Sequence, residues 1–507
     1  MGIKIILLII FFAVMAAVGI YSRRHVTSVD GFVLGGRSVG PWLTAFAYGT
    51  SYFSAVVFVG YAGQFGWKYG IASTWIGIGN ALIGSLLAWV VLGRRTKVMT
   101  QHLGSRTMPD FFGERYKSKS LKITASVIVF VFLIPYTASV YNGLSRLFAM
   151  AFNIPYTWCV VTMAAFTALY VILGGYMATA INDFIQGIIM LIGIVAVIAA
   201  VLNGQGGFMN AIAEMAKIPS DVPLTQGQPG AFTSFFGPDP VNLLGVVLLT
   251  SLGTWGLPQM IGKFYAIKDE KSINTGTVIS TLFAIVISGG CYFLGGFGRL
   301  FDSAEIYNAE TGAVVYDSII PSMLSKLPDI LIGIVVVLVL SASMSTLSSL
   351  VLTSSSTMTL DLLKDNIMKE MSEKKQIITM QILIVFFIVV SVVIALDPPT
   401  FIAQLMGISW GALAGAFLAP FLYGLYWKGV TRAGVWAGFI AGVGITVSNM
   451  FIGYIASPIN AGAAAMVAGL VIVPLVSLVT PKLKKEDVDE IFTCYEEKVV
   501  STKKRNL

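Results

Sequence analysis

Charge is what this 507-residue chain has least of: Asp, Glu, Lys and Arg make up only 11% of it, against roughly 25% in an ordinary soluble domain. A soluble protein of this length cannot cover its surface with so little charge. Histidine is nearly missing, with His25 and His102 alone, both in basic loops, which argues against a histidine-based metal centre. Cysteine is scarce as well. Cys159, Cys291 and Cys494 are widely spaced, odd in number and without a CxxC pair, so they form neither a disulfide framework nor a zinc site. Carboxylates lie nearly all in loops, leaving no paired acids and no nucleophile with its base, so an enzyme reading has little to stand on. No GxxxxGK[ST] stretch occurs, which argues against ATP as an energy source.

What the chain has in excess is apolar surface. Apolar residues reach 56% and the mean hydropathy is +0.82. Stretches long enough to cross a bilayer, about 20 residues each, recur from end to end. Thirteen are readable, at about 3–21, 39–66, 71–93, 121–151, 157–175, 182–203, 241–261, 276–298, 329–360, 376–396, 402–426, 433–455 and 462–480. The chain is therefore expected to be an all-α polytopic membrane protein of about thirteen transmembrane helices. The first stretch reads as a retained helix. Only Lys4 precedes it, and Tyr21-Ser22-Arg23-Arg24 is a poor signal-peptide cleavage site.

The net charge of +8 is spread too thinly for a nucleic-acid-binding domain, and no nucleic acid is expected as a partner. It reads instead as orientation in a cell membrane. With the amino terminus outside, segments 22–38, 94–122, 262–275, 361–375, 427–432 and 481–507 face inward and hold 27 Lys and Arg residues, whereas the outward segments hold 5. The amino terminus is thus expected outside and the carboxyl terminus in the cytoplasm. The outer loops 204–240 and 299–328 are too short to be domains, and the charged tail from Pro481 reads as a short solvated helix followed by disorder.

Two membrane segments are interrupted in the same way. The second reads Gly49-Thr50-Ser51-Tyr52-Phe53-Ser54 in its middle and the seventh Gly253-Thr254-Trp255-Gly256-Leu257-Pro258. Gly and Pro release backbone groups from the helical ladder, which lipid tolerates only where protein or a cavity surrounds them. The breaks open two five-helix sets, and an odd number per set inverts the second relative to the first. Matched breaks in inverted repeats point to a midplane solute and ion site; close packing through small residues is the plainer explanation for either one alone. The ninth segment is the most polar, with six hydroxyl residues among Ser341–Ser349. Ser345, Ser348 and Ser349 share a face, and the Ala342 carbonyl falls beside Ser345 and Thr346. Such oxygens suit a hard monovalent cation, although each hydroxyl alone is explained by a bond to its own i−4 carbonyl. Asp183, in Asn182-Asp183-Phe184-Ile185-Gln186-Gly187, is placed to cap the sixth helix or to serve an ion. Arg146, inside the fourth helix, is a charge in the membrane that either acts there or pairs locally.

These same residues resemble the sodium/solute symporter family, which includes bacterial proline and pantothenate permeases. The resemblance runs from about residue 30 to 430. It is carried by Asp30-Gly31-Phe32-Val33-Leu34-Gly35-Gly36-Arg37-Ser38, by Gly174-Gly175-Tyr176 with Asn182-Asp183 and Gln186-Gly187, and by Ser343-Met344-Ser345-Thr346-Leu347-Ser348-Ser349. It implies a leucine-transporter-like core of two inverted five-helix repeats and sodium-coupled alternating access. It also implies a sodium site made by the carbonyls of Thr50, Phe53 and Ala342 with the hydroxyls of Ser345 and Thr346. A candidate second sodium site would use Asp183, Ser348 and Ser349. Proline carriers of the family have an aspartate where this chain has Tyr52, which argues against proline. The Tyr-containing break, Asn182-Asp183 and Asp397-Pro398-Pro399 are closer to the pantothenate-type branch.

The expectation is a sodium-coupled secondary symporter that imports a small organic solute (an organic anion, vitamin or amino acid), with Na+ as coupling ion and no enzymatic activity. Solute would meet the two breaks, at Ser51, Tyr52, Ser54, Thr254 and Trp255, and Tyr136 from the fourth helix. The expected organisation is a first helix and loop over 1–38, repeats over 39–203 and 241–426 separated by the outer loop 204–240, two peripheral helices over 427–480 and the tail 481–507. Proton coupling is the main rival and would need Asp183. A channel would want a continuous polar pore, and a sensor an output domain that the tail is too short to form. Single cysteines introduced in 204–240 are expected to react with an impermeant thiol reagent added outside, and those in 94–120 to be protected. The reverse pattern would overturn the orientation.

Overall fold

Hydrocarbon offers no water to backbone N–H and C=O groups, so an apolar segment crosses it as a helix that satisfies its own. The computed structural model describes residues 2–22 and 28–496 and is helical nearly throughout. The chain begins with α1 (Gly2–Ser22) and a short α2 (Val29–Leu34). α3 (Pro41–Tyr52) and α4 (Ala62–Tyr69) are the halves of the first broken segment, joined through Phe53 and a wide π-type turn over Val56–Tyr61. α5 (Thr74–Gly79) continues through further π-type turns into α6 (Arg94–His102). Then come α7 (Met108–Tyr116), α8 (Lys119–Phe152), α9 (Tyr156–Gly204) and α10 (Phe208–Lys217), the last within the long loop. The second broken segment is α11 (Pro240–Gly253) and α12 (Pro258–Ala266). It is followed by α13 (Glu270–Gly295), α14 (Ile319–Ser325), α15 (Asp329–Thr357) and α16 (Glu373–Leu396). α17 (Ile402–Tyr426), α18 (Arg432–Ile452), α19 (Pro458–Val479) and α20 (Lys485–Phe492) complete the described chain.

Each apolar stretch read from the sequence is helical, but eleven helices among the described residues are long and apolar enough to cross a membrane. The smaller number has a physical cause. α3 has only 12 residues before its break, and the rest of that segment runs on into the next as Val56–His102. The stretch at 157–175 counts only as the shorter Tyr156–Leu169. One correction concerns Asp183. The sixth helix starts at Tyr176, directly after Gly175 (φ 54°, ψ −149°) turns the chain; that conformation favours glycine. Asp183 therefore lies two turns inside the helix and is not its cap.

The halves of the two broken segments lie antiparallel. The Val39 N–H before α3 donates to the Ala266 carbonyl at the end of α12 at 3.1 Å, and the Lys268 N–H donates back to Val39 at 3.1 Å. At the other end, Tyr69 of α4 and Asn242 of α11 line one cavity of about 600 Å³. The basic segments gather at one end of the bundle. Arg106 pairs with Asp30 at 2.5 Å, Arg94 with Glu270 at 2.5 Å, and Lys122 with Asp110 at 2.7 Å and with Asp365. The opposite end holds Arg299, which donates to the Trp67 carbonyl at 2.7 Å and pairs with Asp221 at 2.6 Å. Arg146 also points to that end. Its Nε donates to Asn142 Oδ1 at 2.8 Å, and it lines a cavity of about 470 Å³ with Tyr156 and Asp317. Burial pushes the Asp317 carboxyl up to about 6 against the opposing pull of Arg146 and the Ile402 N–H.

α17 is the most enclosed span, 89% buried over its apolar window, and α16 is peripheral at 28%. On α16, Ile382, Val385, Phe386, Val389 and Val393 are exposed along one stripe, a face suited to lipid. The tail helix departs from the expected solvated form. Val488 and Ile491 of α20 are buried, and Lys428 pairs with Asp489 at 2.6 Å. The disorder expected beyond it falls on residues 497–507, outside the described chain.

α4 and α13 touch through bare backbone. A Cβ on Gly66 would lie 1.9 Å from the Gly295 carbonyl oxygen, and one on Gly295 would lie 2.1 Å from that of Ala62. Small residues allow such approach in membranes. Gly66→Ala is expected to lower stability by about 1–3 kcal/mol, the usual cost of overpacking, read as the thermal midpoint in detergent. Gly444→Ala, whose added Cβ meets nothing within 4 Å, is the control and should hold or slightly raise the midpoint.

Candidate cation and solute site

The first break exposes carbonyls that α15 takes up. α3 ends at Tyr52 because Phe53 is extended (φ −109°, ψ 98°), its N–H still bonded to Gly49 O at 3.1 Å. The Thr50 and Ser51 carbonyls are left without helical partners. Ser345 Oγ donates to Thr50 O at 2.8 Å and lies 3.3 Å from Ala342 O. Thr346 Oγ1 lies 3.2 Å from Thr50 O, 3.5 Å from Ser51 O and 3.1 Å from Ala342 O. Five buried oxygens from two helices thus meet at one point, none of them charged. A neutral, all-oxygen set of this kind fits sodium. Of the residues expected there, Thr50, Ala342, Ser345 and Thr346 come together. The Phe53 carbonyl takes no bond from either hydroxyl, whereas Ser51 O lies within reach of Thr346. The neighbouring hydroxyls bond back to their own helix instead: Ser343 to Val339 O at 2.7 Å and Ser348 to Ser345 O at 2.8 Å.

One turn along α15, Ser349 and Asp183 face a group expected from the sequence to lie in a loop. Lys263 is buried in α12, and its Nζ donates to Ser349 Oγ at 3.0 Å. The same ammonium lies 3.8 Å from Asp183 Oδ2. Ser349 Oγ is in turn 2.8 Å from Ser51 Oγ. A lysine five residues into a helix that starts at Pro258 was the available signal. The apolar run Met260–Ile267 around it is short, and the charge made it look like the segment's end.

The residues expected to meet solute surround the two breaks, each already held by a specific contact. Tyr52 donates to the Thr250 carbonyl at 2.5 Å, across from the first break to the second segment. Its ring lies 6.0 Å from that of Trp410. Tyr136 meets Trp410 edge-on at 5.9 Å, and its hydroxyl is buried without a protein hydrogen bond. Thr254 donates to Gly84 O at 3.0 Å and Trp255 Nε1 to Ile83 O at 3.0 Å. Both acceptors lie in the π-type stretch Asn80–Leu87, whose wider turn frees carbonyls. Ser54 acts locally, its Oγ accepting from the Val56 N–H at 3.2 Å where the second half of the segment starts. Ser51 turns toward Ser349 rather than toward the aromatic cluster. Trp410 was missed altogether. It packs on Gly253, where a Cβ would lie 2.4 Å from its ring, and an isolated Trp in an apolar run carries no sequence signal.

Comparison with known proteins bears on the family and the fold. The model of the Sodium:solute symporter family matches residues 32–442. Sodium/proline symporters of Staphylococcus aureus, from strains JH9 and N315 among others, are 30% identical to this chain over 499 residues, 95% of it and 93% of theirs. In three dimensions the chain is similar to a substrate-bound, outward-open Na+-coupled sialic acid symporter, with a TM-score of 0.74, 14% identity, and coverage of 95% of this chain and 99% of that one. It is also similar to a nucleobase-cation-symport-1 family transporter, with a TM-score of 0.52, 12% identity, and coverage of 91% and 98%. The fold is therefore that of the inverted-repeat transporters expected from the matched breaks. By sequence, the chain belongs to the sodium:solute symporter family.

Proposed function

We propose that the coupling sodium binds between the Thr50, Ser51 and Ala342 carbonyls and the Ser345 and Thr346 hydroxyls, and that solute binds beside it against Tyr52, Tyr136, Thr254, Trp255 and Trp410. The chain is a sodium-coupled symporter of a small solute. The observation that carries the site assignment is the convergence of five uncharged oxygens on the first helix break. The proposed solute is a small molecule bearing a carboxylate. Proline and sialic acid, named for the relatives, both bear one, and helix amino ends at the breaks favour an anionic group. The aromatic rings suit an apolar part of the same molecule. Proline heads the uptake panel because of the relatives, followed by pantothenate, monocarboxylates, other amino acids and sugars. Tyr52, in the place of an aspartate, argues for a solute other than proline.

On the proposed orientation, with the basic end of the bundle in the cytoplasm, the membrane potential drives sodium inward. For a solute without net charge, such as a zwitterion, it contributes about 2.3 kcal/mol per sodium per 100 mV, or about 50-fold accumulation, before the sodium gradient is counted. A monoanionic solute cancels the charge of one sodium and is driven by the sodium gradient alone. Repeats over 39–203 and 241–426 supply the two broken segments that alternate access. Proton coupling through Asp183 is disfavoured by its pairing with Lys263.

The test removes two of the five oxygens. Ser345→Ala with Thr346→Ala is expected to raise the sodium concentration for half-maximal uptake about ten-fold or more, a loss of about 1.4 kcal/mol, at unchanged protein level. Ser343→Ala, which removes only a bond back to Val339, should behave like the wild type. Unaltered sodium dependence in the double variant would refute the site.

A further inference from the structure

Lys263 brings a basic side chain to a place where only a mobile cation would otherwise be expected. Its side chain is 3% exposed and Asp183 is fully enclosed. Three elements meet at the ammonium: α12 supplies it, α15 offers Ser349 Oγ at 3.0 Å, and α9 offers Asp183 Oδ2 at 3.8 Å. The Tyr176 ring, also from α9, lies 5.3 Å from the Nζ. Neither Asp183 oxygen has a protein hydrogen bond, so the lysine is the charge that compensates this carboxylate. A buried carboxylate stripped of its partner is strongly destabilising. Ser348, the third residue of the candidate second sodium site, bonds away from this point to Ser345 O. Sodium and ammonium are both hard monovalent cations that seek several oxygens. Two positive charges cannot share this single carboxylate and hydroxyl.

We infer that the Lys263 ammonium holds the position of a second sodium ion, so that the chain binds and moves one sodium per solute. The inference rests on the sodium-symport reading above. The bound charge is covalently part of α12 and stays with the carrier when solute leaves. Its link to the first site is short: Ser349 Oγ touches Ser51 Oγ at 2.8 Å, and Ser51 O is within 3.5 Å of Thr346 Oγ1. A narrow cleft lined by Arg106, Gln259, Tyr176 and Ser349 reaches Lys263 from the basic end, which would otherwise be the release path of a second ion.

Binding of radioactive sodium to the purified full-length protein, without any solute, tests this directly. The wild type should bind one sodium per chain, with a Hill coefficient of about 1. Lys263→Met leaves Asp183 in need of a cation and should bind two, with thermal stability that climbs more steeply with sodium. Lys263→Met with Asp183→Asn buries no unpaired charge and should return to one. That double variant and the wild type decide the matter if the single variant does not fold. Two sodium ions per wild-type chain, or one per Lys263→Met chain, would overturn the inference while leaving sodium coupling intact. No sodium binding by the wild type would instead refute the symport reading itself.

Discussion

The Thr50 and Ser51 carbonyls, stranded where α3 stops, are the feature around which the centre of the molecule is organised. In lipid an unpaired backbone carbonyl costs several kcal/mol, so something must face it. α15 brings Ser345 and Thr346, but each hydroxyl has a single proton to give. Thr346 alone has three carbonyl oxygens within reach, and Ser345 has two. Acceptors outnumber donors. An excess of lone pairs at a buried point favours a cation, and on this account the proposed sodium site needs no carboxylate.

Freed carbonyls facing the second break are met in another way. The π-type turns over Asn80–Leu87 also free carbonyls, yet these meet dedicated donors. Ile83 O takes the Trp255 indole at 3.0 Å, and Gly84 O takes Tyr48 at 2.7 Å and Thr254 at 3.0 Å. Nearby, Asn80 donates to Ser288 at 3.0 Å and accepts from Ser251 at 3.2 Å. Donors and acceptors balance, so this region latches the second broken segment to its neighbour and leaves no oxygen excess for an ion. The proposed ion position thus rests on an excess of acceptors over protons, which neither Gly-rich interruption announces in the sequence.

That distinction marks the limit of what could be read from residues alone. The helical class, the two breaks and the hydroxyl cluster of α15 follow from apolar runs, Gly-Pro interruptions and Ser spacing, because each is a local property. The errors are all non-local. The cap alternative for Asp183 fails because Gly175, through its positive φ, restarts the helix six residues earlier than expected, which nothing in Tyr176–Asn182 announces. Lys263 read as a loop charge because its partner Asp183 is 80 residues away in sequence. Trp410, lodged between Tyr52 and Gly253, is an ordinary aromatic until the two breaks are brought together. Ser348 shares the right face of α15 but turns its proton inward to its own helix.

The division of charge between the proposed sodium site and the Lys263–Asp183 pair bears on how coupling would work. At Asp183 a carboxylate and an ammonium cancel within the protein, so that position adds no net charge to the centre of the membrane. At the first site the surrounding oxygens are neutral, and a sodium ion there brings a full positive charge compensated only by dipoles. A carboxylate on the proposed solute, facing the helix amino ends at the breaks, would supply the missing negative charge across a short, low-dielectric gap. Each ligand then raises the affinity for the other by the same factor, as reciprocity requires. The interaction is strong because no protein carboxylate competes for the ion. Symport in this reading needs no long-range relay: the ion and the solute share consecutive residues of one broken helix, and the fixed Lys263–Asp183 pair keeps the neighbouring position from diluting that exchange.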